Sequence, residues 1–575
     1  MGSIYNTPRT HPGMLTNIPF DLIHEVAGYL DSKASVLQLA LSSKHLFLSL
    51  CPSLYCNVQL DSAQQCVATL SMLNIRPDIA RHVRKLVIRF SPSSAIHSED
   101  LNGCTVSSLV KCLASKLDSL HTFIWDAEEI PQCDDMWFAL RMSCPRLRTV
   151  GTAYGAELPK SHSSLFQFKG LRGFLLSLKR GFYERYLDSD LQELPSESRL
   201  WDMLINRSPD LEELQIAGAS FTSMQPVHPL CQAHWPRLHT LSLGDILLDW
   251  QPRVGVKPPF IAFLEAHPHL RSLRTSRAAL NPALLPSLEQ GSLSQLTHFG
   301  GAIEHLQGLA NIHSQITSVA LDEPLIVRDF APLLVAGVLQ GLKFLTELRV
   351  CFVFHSIYDG GSLIRSIVSA CPGLTTLEVV CVRGPSFTIE KLAKVICALP
   401  RLRHLRVTLV RSRHEEPLST CAALIARSNP RLYTFSITFI PPELSLPLSL
   451  GVEIGRTSGD PGHHYAETGN YVLRTDGHGL PTAVTCTERR TSRSLFSWLP
   501  TFPIPLVVPI ISFGSTPRTT SQGMMKYCYT LDLRPGTKKH NGLGLVLERS
   551  AAGEEVRVLI VLMSLTGLAL WGFFA

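Results

Sequence analysis

The sequence predicts an α/β protein: a short three-helix module at the N-terminus, a solenoid of strand-and-helix repeats, an irregular C-terminal region and a terminal apolar helix. Three observations carry that expectation. One phrase, x-x-L-x-x-L-x-L, recurs from about residue 80 to residue 440. Residues 15–60 show apolar side chains at helical rather than alternating spacing. Across 575 residues, 45% are hydrophobic and 17% charged, which supplies a large core and excludes wholesale disorder.

In the N-terminal stretch, Pro19 suits a first helical turn, where its missing N–H has no partner to lose. Leu22, Val26 and Leu30 follow at i, i+4 and i+8 with Ile23 beside them, and Asp21 and Glu25 lie near the positive helix end. Asp31 and Ser32 can cap a second helix carrying Val36, Leu37, Leu39, Ala40 and Leu41. Ser42 and Ser43 offer an N-cap to a third, with Leu46, Phe47 and Leu50, expected to end at Pro52. So small a module is marginal alone, so an exposed apolar face implies a binding partner. The alternative is a helical cap on whatever follows.

Ile18-Pro19-Phe20-Asp21-Leu22-Ile23-His24-Glu25-Val26, then Tyr29-Leu30, Leu39-Ala40-Leu41-Ser42-Ser43-Lys44 and Pro52-Ser53-Leu54-Tyr55, resembles an F-box in residue type and order. Ile18 departs from the usual leucine before the proline. The resemblance implies docking on a Skp-type adaptor and, through it, on a cullin-based ubiquitin ligase. By position it carries over to Ile18, Pro19, Leu22, Ile23, Val26, Leu30, Val36, Leu37, Leu39 and Leu46 as module core and adaptor face together. Which of them point outward is left open.

The repeated phrase occurs about 13 times, from Val83-Leu86-Ile88 to Leu432-Phe435-Ile437, with a period of about 29 residues and two insertions. Its closing L-x-L alternates with period two, the signature of a short strand with both leucines inward. Helical text precedes many strands, as in Gly361–Cys371 and Glu390–Leu399. One strand and one helix cannot close a core, whereas stacked copies form a parallel sheet lined by helices. The copies near residues 152, 275 and 301 lack the last apolar residue. The pattern resembles the irregular leucine-rich repeats that often follow an F-box.

On the solvent side of these strands the basic positions are Lys85, Arg89, Arg274, Arg349 and Arg406, and the acidic ones Asp126, Glu213, Asp322, Glu347 and Glu378. The balance predicts no net field along this face, and the net charge of +6 is small for the length. Nucleic acid, which needs a basic stripe, is therefore disfavoured. A mixed polar face suits a protein target, with Glu213, Arg274, Glu347, Arg349, Glu378 and Arg406 as candidate contacts. Loops or the opposite side are the alternative.

Residues 441–555 are richer in Gly, Pro and Thr, with a β-hairpin expected near 470–487 around Asp476-Gly477 that could cover the last repeat. His463, His464, His478 and Asp476 match no tight ligand spacing, so no metal is assigned. Residues 558–575 hold neither charge nor proline and follow Arg549 and Arg557, as a C-terminal transmembrane anchor would; a buried helix capping the repeats is the alternative. The 15 cysteines include no CxxC pair and sit beside apolar runs, as at Cys112, Cys397 and Cys421, so they are expected to be buried, reduced thiols.

No apolar signal core opens the chain and no nucleophile, phosphate-loop or HExxH arrangement occurs, so neither catalysis nor a cofactor is expected. The location expected is cytoplasmic or nuclear, with tail-anchoring to an internal membrane as the reading of residues 558–575. Taken with the resemblance, the chain is expected to be a substrate-recognition subunit of a cullin-type ligase. The competing reading is a membrane-tethered repeat scaffold with no part in ubiquitin transfer.

Overall fold

The computed structural model describes residues 19–30, 33–90, 103–186, 195–220, 228–246, 248, 257–326, 332–354, 359–383, 388–411, 416–440, 466–475, 481–491 and 525–532. Ile18, Asp31, Ser32, His463, His464, Asp476, His478 and the apolar segment 558–575 lie outside them. Among the described residues no helix is long and apolar enough to cross a membrane. The chain divides into two units, Met1–His269 and Leu270–Ala575.

The first unit opens with three helices, α1 (Phe20–Gly28), α2 (Lys33–Leu41) and α3 (Lys44–Tyr55). Ser43 caps α3 by accepting the Leu46 N–H at 3.1 Å. Pro52 does not end that helix, which runs on to Tyr55. The next full turn survives because the Pro52 carbonyl still accepts the Cys56 N–H, at 3.1 Å.

A parallel sheet follows, one strand per repeat: β1 (Asn57–Leu60), β2 (Lys85–Ile88), β3 (Thr122–Trp125), β4 (Thr149–Tyr154), β5 (Gly173–Leu178), β6 (Glu213–Ser220) and β7 (Thr240–Ile246). Between them run α4 (Ala63–Ile75), α5 (Pro77–Ala80), α6 (Gly103–Leu113), α7 (Asp135–Ser143), α8 (Arg180–Tyr186) and α9 (Pro195–Ile205), with α10 (Pro259–Glu265) after β7. The register sets Val58, Leu86, Phe123, Val150, Phe174, Leu214 and Leu241 side by side in one buried row. Each such side chain contributes about 1.5–3 kcal/mol by leaving water.

The sheet begins one strand earlier than the repeated phrase suggests. Residues 57–60, within the stretch resembling an F-box, form β1 and pair in parallel with β2. Tyr55 stands where later repeats have leucine, valine or isoleucine, which hides the phrase, while Val58 and Leu60 keep the period of two.

The second unit repeats the construction with β8 (Ser272–Arg274), β9 (His298–Gly300), β10 (Ser318–Ile326), β11 (Glu347–Val353), β12 (Thr376–Arg383), β13 (His404–Val410) and β14 (Thr434–Ile440), all parallel. Its helices are α11 (Ile303–Gly308), α12 (Pro332–Gln340), α13 (Asp359–Ala370), α14 (Ile389–Ile396) and α15 (Leu418–Ser428). A threonine ladder ties the strand entries together. The hydroxyls of Thr297, Thr317, Thr346 and Thr375 donate to the carbonyls of Arg271, Thr297, Thr317 and Thr346 at 3.1–3.3 Å. Each carbonyl also accepts the N–H of the same threonine.

Strand direction reverses after β14. β15 (Ala466–Thr475) pairs antiparallel with β14, β16 (Pro481–Thr491) with β15, and β17 (Met525–Asp532) with β16. Tyr471 of β15 stacks on Phe435 of β14 with ring centroids 4.8 Å apart, closing the apolar row. The open edge of the last repeat is thereby paired, as a repeat array requires at its end.

The cysteines divide by face. Cys421 is buried, but Cys112 and Cys397 are exposed, contrary to the expectation from their neighbours, because Leu113 and Ala114, and Ile396 and Leu399, take the buried side of those turns. Burial pushes the thiols of Cys66, Cys144, Cys351 and Cys371 up to about 12, so they act as small apolar side chains.

Candidate functional site

Two surfaces answer the expectations: the outside of the three-helix module and the solvent side of the repeat strands. The module has a core of its own, in which Ile23, Ala27, Val36, Ala40, Leu46 and Leu50 pack together with Leu30, Leu39, Phe47 and Leu54 against them. His24 Nδ1 lies 3.0 Å from Ser53 Oγ, linking α1 to α3. Lys33 Nζ donates to the Asn57 carbonyl at 2.7 Å, linking α2 to the first strand.

That core sorts the candidate adaptor residues. Ile23, Val36 and Leu46 face inward, and Leu30, Leu37 and Leu39 are half-buried. Pro19, Leu22 and Val26 face solvent, with Leu22 50% and Val26 52% exposed. Tyr29, at 77% exposure, extends their line, so Pro19, Leu22, Val26 and Tyr29 recur at spacings of three and four residues. That is one stripe along one side of a helix. Phe20, Leu41 and Leu48 add exposed apolar surface on the same module. Phe20, Tyr29 and Leu41 carry the F-box resemblance but are not among the candidate adaptor residues, nor is Leu48; the extension of the helical spacing to Tyr29 is the signal that could have added one of them.

On the strands, the structure separates Glu213, in the first unit, from the other five candidate target contacts, in the second. Glu347 is exposed, between Ser318 and Thr376 in register. The remaining four join through Asp322 into one ionic chain running across the strands. Arg274 Nε donates to Asp322 Oδ2 at 2.5 Å, Arg349 lies 3.8 Å from Asp322 and 3.7 Å from Glu378, and Arg406 lies 3.6 Å from Glu378.

Arg274 reaches Asp322 by crossing β9, and Gly300 makes the crossing possible: a Cβ there would stand 2.7 Å from Arg274 Cγ. Gly300→Val should therefore push Arg274 off Asp322, whose side chain is only 16% exposed. We expect a loss of about 2 kcal/mol, the scale of a hydrogen bond to a charged group, read from urea unfolding; Gly300→Ala should cost less.

In the first unit, Asp126 takes both Arg89, at 2.8 Å, and Lys179, at 2.6 Å, while Arg172 pairs with Glu212 at 3.0 Å. The overall balance of five acids and five bases on this face thus conceals a local arrangement in which several acids are already held by arginine or lysine. Among the described residues there is no group of three or more His, Cys, Asp or Glu side chains placed to hold a metal ion.

No family model matches the chain, and no curated protein matches it. Among solved structures, the "Crystal structure of Rad7 and Elc1 complex in yeast" is similar, with 13% identity, a TM-score of 0.36, and coverage of 76% of this chain and 95% of that one. The functional reading accordingly rests on the surfaces of this chain.

Proposed function

We propose that the chain is the substrate-recognition subunit of a cullin-based ubiquitin ligase. The N-terminal helices would dock on a Skp-type adaptor and the repeats would hold a target protein. The observation that carries this is the exposed stripe of Pro19, Leu22, Val26 and Tyr29 on a module that already has a core. A purely structural cap needs only its inner face to be apolar, so an outer stripe of that kind calls for a second protein. The F-box resemblance names its chemistry.

The polypeptide itself makes and breaks no bond in this reading. It raises the effective concentration of a target lysine beside the ubiquitin-carrying enzyme, gaining rate from proximity alone. A cytoplasmic or nuclear location goes with the proposal. The alternative, a repeat scaffold without ligase function, draws its support from the ties that fix the module to the first strand, such as Lys33 to Asn57.

The deciding experiment compares wild type with Leu22→Ala/Val26→Ala in pull-downs with purified Skp-type adaptor. Both side chains are about half exposed, so circular dichroism and melting should be unchanged. Loss of two apolar anchors at an interface centre should weaken binding about 30-fold or more. Equal retention of adaptor by both proteins, or by neither, refutes the proposal.

A further inference from the structure

Basic side chains collect at the strand entries of β2, β3, β4 and β5. Arg84, His121, Arg148 and Arg172 occupy successive rungs there: the His121 N–H donates to the Arg84 carbonyl at 2.8 Å, Arg148 to His121 at 2.9 Å, and Arg172 to Arg148 at 2.8 Å. Arg81, Lys85 and Arg146 stand beside this row and are exposed, as are Arg84, His121 and Arg148.

Arg172 is held by Glu212. Arg81, Arg84, Lys85, Arg146 and Arg148 form no ion pair with any described residue, although acids elsewhere on this face are paired. Burial lowers the His82 pKa, and Arg81 and Arg84 act in the same direction against the opposing charge of Asp78.

One residue past these rungs, Lys85, Thr122, Thr149 and Gly173 open the solvent face of the strands, and two residues further along that face turns aliphatic. The register aligns Val87, Ile124, Gly151 and Leu175. A Cβ on Gly151 would come within 2.8 Å of Ile124 Cγ2, so Ile124 lies across β4 toward half-buried Leu175. No aromatic side chain occurs in this row or at the strand-entry row beside it, Lys85, Thr122, Thr149 and Gly173. Apart from the His121 ring, these rows therefore offer single-stranded nucleic acid no run of aromatic stacking platforms.

We propose that this cationic rim and its aliphatic floor dock an acidic peptide, an extended Asp/Glu-rich segment carrying aliphatic residues, supplied by the target protein. The proposal deepens the receptor reading and rests on it only for calling the partner a target. Rungs about 4.8 Å apart put Arg84 and Arg148 about 10 Å apart, close to one three-residue turn of a polyproline-II segment at about 3.1 Å per residue, which brings positions i and i+3 to the same side. Acids three positions apart would meet both arginines while the residues between reach Ile124 and Leu175.

The test is fluorescence anisotropy of the full chain with a labelled Glu-rich peptide of about a dozen residues containing two leucines. Binding should weaken as salt rises, and Arg84→Glu/Arg148→Glu should weaken it about tenfold or more. The same peptide with lysine for glutamate should not bind. Charge reversal at Lys343 and Lys391, in the other unit, should leave binding unchanged.

Absence of binding by wild type, equal binding by the Arg84/Arg148 variant, or an equal loss in the Lys343/Lys391 variant overturns the assignment. Tighter binding of a single-stranded oligonucleotide of matched charge overturns the partner class. The two proposals fail separately: Arg84→Glu/Arg148→Glu should still capture adaptor, and Leu22→Ala/Val26→Ala should still bind the peptide.

Discussion

Trp235→Ala should lower the stability of the first unit by about 4 kcal/mol, the upper range for an aromatic-to-alanine change in a core. The side chain is fully buried, its indole N–H donates to the Leu204 carbonyl of α9 at 3.0 Å, and its ring meets Phe263 of α10 edge-on at 6.3 Å. Its backbone N–H is accepted by His267 Nε2 at 3.0 Å. Truncation thus opens a void between two helical segments and leaves a buried carbonyl without its donor. Trp235→Phe separates the two effects: it restores most of the apolar area and retains the unpaired carbonyl, worth about 1–3 kcal/mol. Urea midpoints of the three proteins check this, and a Phe variant as stable as wild type would remove the carbonyl from the account.

Mild acid should weaken the fold by a route that involves no carboxylate. His228, His267 and His305 are buried, and each ring accepts a backbone N–H: His228 from Leu230 at 3.2 Å, His267 from Trp235 at 3.0 Å and His305 from Ala302 at 3.2 Å. His267 also contacts the Phe263 carbonyl at 2.6 Å and His305 the Leu280 carbonyl at 2.7 Å. In those two rings one nitrogen thus donates while the other accepts, the neutral form. Protonation would convert each accepting nitrogen into a donor facing another N–H.

Burial lowers all three pKa values, that of His228 to about 4. A histidine depressed in the folded state leaves the unfolded chain binding more protons below its ordinary value. The His228 contribution is therefore complete above about pH 6.5, falls as pH drops toward 4 and levels off below it, and His267 and His305 act in the same direction. For His228 the loss should approach about 3 kcal/mol. Asp78, held low by Arg76, and Asp202, held low by Asn206, respond only below the ordinary carboxylate range. His228→Asn, which keeps a side-chain acceptor for Leu230 but cannot titrate, should flatten the stability profile between pH 6.5 and 4.5; an unchanged slope would exclude His228 as its source.

The repeat strands were legible because their inward residues obey one rule, and β2 to β14 fall on the recurring phrase. Two of the copies that lost their last apolar residue still bury that position: Thr152 lies opposite Leu176 in register, and Thr275 is buried as well. What the phrase cannot carry is lateral contact. That Gly300 lies beneath Arg274, or that Asp126 is shared by Arg89 and Lys179, depends on register between segments dozens of residues apart. The same holds for the basic rim, since Arg84 and Arg148 are neighbours only once β3 lies between them.

In the module the difficulty was different. Ile23 and Leu22 are equally apolar and adjacent, and only the packing of three helices decides that one enters the core while the other meets solvent. The reach of α3 past Pro52 was hidden for a related reason: a proline sacrifices one bond of its helix, and tertiary packing of Leu50 and Cys51 keeps the rest in place.

The even spacing of the strand entries in the second unit bears on how such a chain changes over generations. Strands β10 to β14 begin at Ser318, Glu347, Thr376, His404 and Thr434, a nearly constant stride. Removal of residues 347–375 by unequal recombination would join Thr346 directly to Thr376, and the strand so formed would enter with the phase of the one it replaced. Whole strides can thus be lost or copied between β10 and β13 without shifting any inward residue outward. Past β14 the reversed strand β15 offers no equivalent junction, so inheritance of new copies is confined to the interior of the gene segment.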